Sequence, residues 1–248
     1  MIVLKSPQEI EKISQACRIV AMTLIYLKEW VKPGISTQEL DRLAEEFIVK
    51  QGARPAFKGY RNFPCTLCTS VNEEVVHGIP SKRRLKEGDI IGIDAGAVVE
   101  GFFGDAAITL PVGKITPEIQ DLLEVTEQAL YKGIAQASPG NRLTDISHAI
   151  QTHAEGAGYS VVTDFVGHGI GRNLHEDPQV PNFGQPGQGP LLKEGMVLAI
   201  EPMVNMGGSA VRILEDHWTV MTQDESLSAH FEHTIAVTSD GPVILTKL

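Results

Sequence analysis

The chain repeats its own pattern, and this limits its possible folds more than any other feature. Lys86-Glu87-Gly88 opens the run KEGDIIGID (86–94), and Lys193-Glu194-Gly195 opens KEGMVLAIE (193–201), 107 positions later. Upstream of each run stands a Pro-Gly pair. Gly34 precedes Gly88 by 54 positions, and Gly140 precedes Gly195 by 55. Each half therefore reads as helix, Pro-Gly, helix, strands, Lys-Glu-Gly, then a strand ending in an acid. The period is too long for a solenoid, so two similar halves should pack about a pseudo-twofold axis within one domain over residues 1–248, half one about 6–110 and half two about 116–248. In this register Asp94 lies over Glu201, and both should converge where the halves meet.

The stretch Ile90–Leu110, IIGIDAGAVVEGFFGDAAITL, reads as two apolar strands joined by a turn near Val99–Gly101. Each strand carries one aspartate in apolar company. A turn centred on Val99–Glu100 makes Asp94 and Asp105 directly opposed on one face, with Cβ atoms roughly 5 Å apart. Two carboxylates that close in a buried sheet need either a shared proton or a cation between them.

Helix signals are strong. Ser6-Pro7-Gln8-Glu9 and Ser36-Thr37-Gln38-Glu39 are capping boxes, Thr116-Pro117-Glu118 opens a third helix, and a fourth should run from about Thr144 to Glu155. Residues 53–64 read as an aromatic loop. Short strands follow near 65–71, 159–163 and 196–200. Trp218-Thr219-Val220 is also strand-like. A net charge of −10 argues against a nucleic-acid footprint and hence against a DNA partner, and the cluster Lys82-Arg83-Arg84 with Lys86 reads as a solvated loop. No run of about 18 apolar residues exists, which excludes a membrane span, and the first residues lack the apolar core of a signal peptide. Three cysteines, Cys17, Cys65 and Cys68, are too few for a disulfide framework and fit a reducing cytoplasm.

Further polar residues sit in apolar settings. Glu232 lies in the alternating run AHFEHTIAV (229–237), and His168 lies between glycines in GHGIG, where backbone can approach a ligand. Gly167–Gly171 is not a dinucleotide loop, because Arg172 stands where the last glycine is needed. Asp94, Asp105, His168, Glu201 and Glu232 together place up to four negative charges against one imidazole. Two divalent cations roughly 3.5–4 Å apart meet that need, and carboxylate-rich, single-histidine ligation suits manganese, iron or cobalt better than structural zinc.

The series Asp94, Asp105, His168 in GHGIGRNLHE, Glu201 in AIEPM and Glu232 in HFEHT resembles the methionine aminopeptidases, as do SVNEEVVHGIP (70–80) and FKGYRNFP (57–64). The likeness covers essentially the whole chain and is closest in form to the short bacterial type I enzymes, without an N-terminal extension. It implies the α+β pita-bread fold, duplicated about a central curved antiparallel sheet. It implies removal of the initiator methionine from nascent proteins with a small second residue, through a metal-bridging hydroxide. Two divalent ions (cobalt, manganese, iron or zinc) are implied, with Asp94 on one, Asp105 and Glu232 bridging, and His168 and Glu201 on the other. By the same resemblance Glu201 shuttles the proton, His77 contacts the scissile amide, and His175 stabilises the oxyanion. Tyr60, Phe63, Cys68 and Trp218 form the methionine pocket, and Leu174 stands where an aromatic is common. A monovalent cation near Asn72–Glu74 and Ser228, nascent N-termini as partners, a transient ribosome contact and a monomeric state are implied too. The rival readings are a Xaa-Pro aminopeptidase, prolidase or creatinase-like enzyme on the same fold, and an inactive module binding protein or RNA.

Overall fold

The computed structural model describes residues 1–247. Both capping boxes form. The Ser6 hydroxyl accepts the Glu9 amide while the Glu9 carboxylate accepts the Ser6 amide, and α1 runs Pro7–Lys28. Ser36 and Glu39 do the same for α2, Thr37–Lys50. In the second half α3 spans Pro117–Ile134 and α4 spans Leu143–Gly156. The fourth helix starts one residue before the expected Thr144. Asp145 accepts the Arg142 amide at 2.7 Å, and the Thr144 hydroxyl is taken up by Gln188 instead.

The strands are β1 Arg54–Pro55, β2 Leu67–Val71, β3 Glu74–Val76, β4 Ile90–Val99, β5 Phe102–Pro111, β6 Ser160–Val161, β7 Gly167–Gly169, β8 Glu176–Val180, β9 Val197–Ile200, β10 Met203–Asn205, β11 Val211–Ile213, β12 Val220–Thr222, β13 Ser228–His230, β14 Glu232–Thr238 and β15 Gly241–Ile244. One nine-stranded antiparallel sheet runs β1-β4-β5-β14-β9-β7-β8, with β2 also on β4 and β15 also on β14. Strands of both halves therefore share one sheet and meet at the β5–β14 pair. The aromatic loop expected at 53–64 contains β1 and a 3-10 turn at Tyr60–Asn62. Trp218 lies in a turn before β12, its amide donated to Asp216, so it is not a strand residue.

The duplication is visible in the hydrogen bonds. Gly34 N–H donates to Leu85 and Gly140 N–H to Leu192, while Gly88 N–H donates to Val112 and Gly195 N–H to Val237. Gly34 and Gly140 share φ +95°, and Gly88 and Gly195 have +90° and +88°. These are left-handed positions that glycine adopts without cost, which is why the same dipeptide and tripeptide recur.

The hairpin register differs from the sequence expectation by two residues. Glu100 and Gly101 both have positive φ and form the two-residue turn, and Val99 faces Phe102. Asp94 therefore faces Ala107, and Asp105 faces Gly96. A shift of two keeps side-chain parity, so both aspartates stay on one face, diagonal rather than opposed. The helices cover the other face. A Cβ on Gly104 would lie 2.6 Å from the Cys17 amide nitrogen, so α1 sits directly on β5 opposite the side that bears Asp105. One core cluster forms around α1 and α2, and another around α3 and α4.

Candidate active site

Strand register builds the site. Across the sheet Cys68 pairs with Asp94, Asp94 with Ala107, and Ala107 with Glu232. His233 pairs with Ile200, so Glu201, one step past the end of β9, falls opposite Glu232. Directly paired residues share a face, so Asp94, Glu232 and Glu201 form one row, with only the small Ala107 between the first two. Asp105 lies two residues before Ala107 on the same face. His168 pairs with Ala199, two before Glu201, and joins that face too. The expected five residues line one cavity.

Three of them bring one ligand atom each within 4.8 Å of the others: Asp105, His168 and Glu232, whose relative exposures are 4%, 6% and 2%. His168 Nε2 stands 3.5 Å from Glu201 Oε1 and 3.9 Å from Asp105 Oδ2. Its Nδ1 lies 3.0 Å from the Gly169 carbonyl, which can only accept. The proton therefore sits on Nδ1, and the Nε2 lone pair faces the carboxylates. Burial lowers this imidazole to about 3, so it is neutral. The four carboxyls go the other way. Burial lifts Asp94 to about 7, and burial reinforced by neighbouring acids lifts Asp105, Glu201 and Glu232 well above the usual carboxylate range. Asp94 Oδ1, Asp105 Oδ1 and Glu232 Oε1 are buried with no hydrogen-bond partner among the described residues. Acceptor facing acceptor, with orphaned oxygens, is a donor set that fits divalent metal.

Around this floor stand the other expected residues. His77 takes a left-handed φ of 60° at the end of β3 and packs edge-on against Phe165 and Trp218. Burial lowers it to about 4. His175 lies with its ring centroid 4.3 Å from that of His168, and its Nδ1 is 2.8 Å from the Tyr60 hydroxyl. Burial, and then the Arg61 charge, lower its pKa. Phe63 and Trp218 meet edge-to-face at 5.0 Å. With Tyr60, Cys68 and the buried Leu174 they wall a cavity of ≈ 130 Å³.

The sequence reading missed three residues. Phe57 and Arg61 line the cavity. His230 is buried with its Nε2 3.7 Å from Glu201 Oε2, and Thr109 clamps its backbone at both ends. Parity with Glu232 in AHFEHT could have signalled it. The chain pairs the expected cation loop with Ser228, whose amide donates to the Asn72 carbonyl at 3.0 Å. Lys82, Arg83, Arg84 and Lys86 are exposed, with Arg83 and Arg84 paired to Glu74 and Glu39 at the surface, in line with a solvated loop. All three cysteines are free thiols. Among the described residues no helix is long and apolar enough to cross a membrane.

The profile of metallopeptidase family M24 matches residues 11–239. A methionine aminopeptidase 1 of Bacillus subtilis is 58% identical over the whole of both chains. Among solved structures, a methionine aminopeptidase of Thermotoga maritima superposes with a TM-score of 0.99 at 48% identity, and one of Rickettsia prowazekii with 0.98 at 43%, each covering both chains fully.

Proposed function

This chain belongs to metallopeptidase family M24, and we propose that within it the chain works as a methionine aminopeptidase, removing the initiator methionine from nascent proteins with a small second residue. The observation that carries the reading is the row of Asp94, Glu232 and Glu201, flanked by Asp105 and the His168 lone pair, at the floor of a small aromatic cavity. Asp94 would hold one divalent ion, His168 and Glu201 a second, with Asp105 and Glu232 between them. Bound there, the ions supply an activated water and polarise the scissile carbonyl. Manganese, iron, cobalt and zinc all suit this ligand set.

The chain's own groups do the rest. Glu201 takes the proton of the attacking water and passes it to the leaving amine. His175 is neutral. In the tautomer this role needs, Nδ1 accepts from the Tyr60 hydroxyl 2.8 Å away and Nε2–H is free to donate to the oxyanion. His77, fixed by Phe165 and Trp218, contacts the scissile amide. Tyr60, Phe63, Cys68 and Trp218 receive the thioether, a soft group that packs well on aromatic edges. The 248 residues act as one catalytic unit, since ligands come from both halves. The same reading carries cytoplasmic action on nascent N-termini as a monomer, a passing ribosome contact, and a monovalent cation at Asn72–Glu74 and Ser228.

The test strips the protein with chelator, then adds manganese, cobalt or iron with the peptides Met-Ala-Ser and Ala-Pro-Ser in parallel. Metal-dependent release of methionine alone is expected. Cleavage of the proline peptide instead would reassign the chain to Xaa-Pro or prolidase chemistry. No release from a protein with bound metal would leave a binding module.

A further inference from the structure

Lys5 is a lysine out of place. Its side chain is only 5% exposed, and its Nζ meets Glu176 Oε2 at 2.7 Å, itself 12% exposed. Buried ion pairs are poor devices for stability, because desolvation offsets most of the attraction and apolar replacements often do as well. They are good devices for fixing position, since both ends must be held. Here both are. The Lys5 amide donates to the Gly195 carbonyl at 2.7 Å, and Nζ also donates to the Val3 carbonyl at 3.0 Å. The other Glu176 oxygen accepts the Asn173 amide at 3.0 Å, while Gly171 N–H donates to the Asn173 carbonyl and Phe103 N–H to the Gly171 carbonyl. Gly171 rests on the pair itself: a Cβ there would lie 2.7 Å from Lys5 Cε and 3.0 Å from Glu176 Oε1. The closed circuit enfolds residues 171–176, and the residue next to Glu176 is His175.

We propose that Lys5 is a positioning residue for His175: its ammonium, locked on Glu176, sets the loop that presents His175 to the scissile bond. This rests on the role given to His175 above. Misplacement of an active-site group by about 1 Å is enough to cost a hundredfold in rate.

The test compares Lys5→Met, and Lys5→Met with Glu176→Gln, in the metal-loaded enzyme. The double variant removes both charges and leaves no unpaired buried ion, so it can be read if the single variant fails to fold. Both should keep their metal content and KM for Met-Ala-Ser while kcat falls about tenfold or more. In a His175→Ala background the same changes should cost nothing further, because the group they position is gone. In the metal-free protein, the ¹⁵N resonances of the His175 ring should shift as the Tyr60 contact loosens. An undiminished kcat in a folded variant would overturn the proposal, and so would an equal loss added on top of His175→Ala. If His175→Ala itself keeps full kcat, the catalytic role of His175 fails, and with it the kinetic part of this proposal.

Discussion

Stripping the metal should make this protein less stable as pH rises just above neutrality. Burial holds the Asp94 carboxyl up at about 7, and holds Asp105, Glu201 and Glu232 well above their ordinary range. In the unfolded chain all four titrate near 4. The fold thus keeps protons that the unfolded chain has released. That stabilisation is complete below about pH 4 and is lost as pH climbs through the folded values. The buried histidines work in the opposite sense. His77 and His233 are lowered to about 4, and His168 and His230 to about 3, so the unfolded chain binds the extra protons and stability rises with pH up to roughly 6.5. The two sets oppose each other in acid. Between pH 7 and 8 the histidines fall silent and only the carboxyls remain, while unfolded thiols ionise mostly above that window. Each carboxyl that keeps its proton across the unit lowers stability by about 1.4 kcal/mol. For a chain this long that is about 3–6 °C in melting temperature. Asp94, held at about 7, is half ionised at the start and contributes less. Thermal melts at pH 7 and 8 with chelator, and again with manganese, measure this. The loaded protein should not show the fall, because metal displaces the protons and binds more tightly as pH rises. A chelated melting temperature that stays level or climbs would refute the account of the buried carboxyls.

Asp94→Asn should abolish peptide release and weaken metal binding while the fold persists; full activity at normal metal content would remove Asp94 from the ligand set. Tyr60→Phe deletes the hydroxyl 2.8 Å from His175 Nδ1. It should lower kcat on Met-Ala-Ser roughly fivefold, the worth of about one hydrogen bond, at unchanged metal content, and a change confined to KM would contradict the orienting role. Gly104→Ala pushes a methyl to within 2.6 Å of the Cys17 amide. Urea unfolding should show a loss of about 1–3 kcal/mol, and an unmoved midpoint would mean that α1 yields.

The duplication, all four helices and the five converging polar residues were legible because each rests on a local or periodic signal. The Ser-x-x-Glu boxes set α1 and α2, and Pro-Gly with Lys-Glu-Gly recur because each half needs a left-handed residue at the same points. The hairpin turn was misplaced because Val99, Glu100 and Gly101 offer two centres, and only the backbone shows that Glu100 joins Gly101 at positive φ. That error left the site intact, since parity survives a shift of two. Phe57 was invisible for another reason. What brings it to the cavity is pairing between distant segments, Pro55 with Ala97, which no local pattern encodes.

The place of β14 has a consequence for how the protein matures. It lies between β5 and β9, yet follows both in the chain. During synthesis the sheet cannot be complete until β14 emerges, and that strand brings Glu232, which pairs with Ala107 of β5 and lies beside the His233–Ile200 pair with β9. On the ligand set proposed above, metal would be captured late: a nascent chain can assemble most of either half, but the ligands would be complete only once this central strand is in place. Ion availability would thus act on the last step of assembly rather than on its beginning.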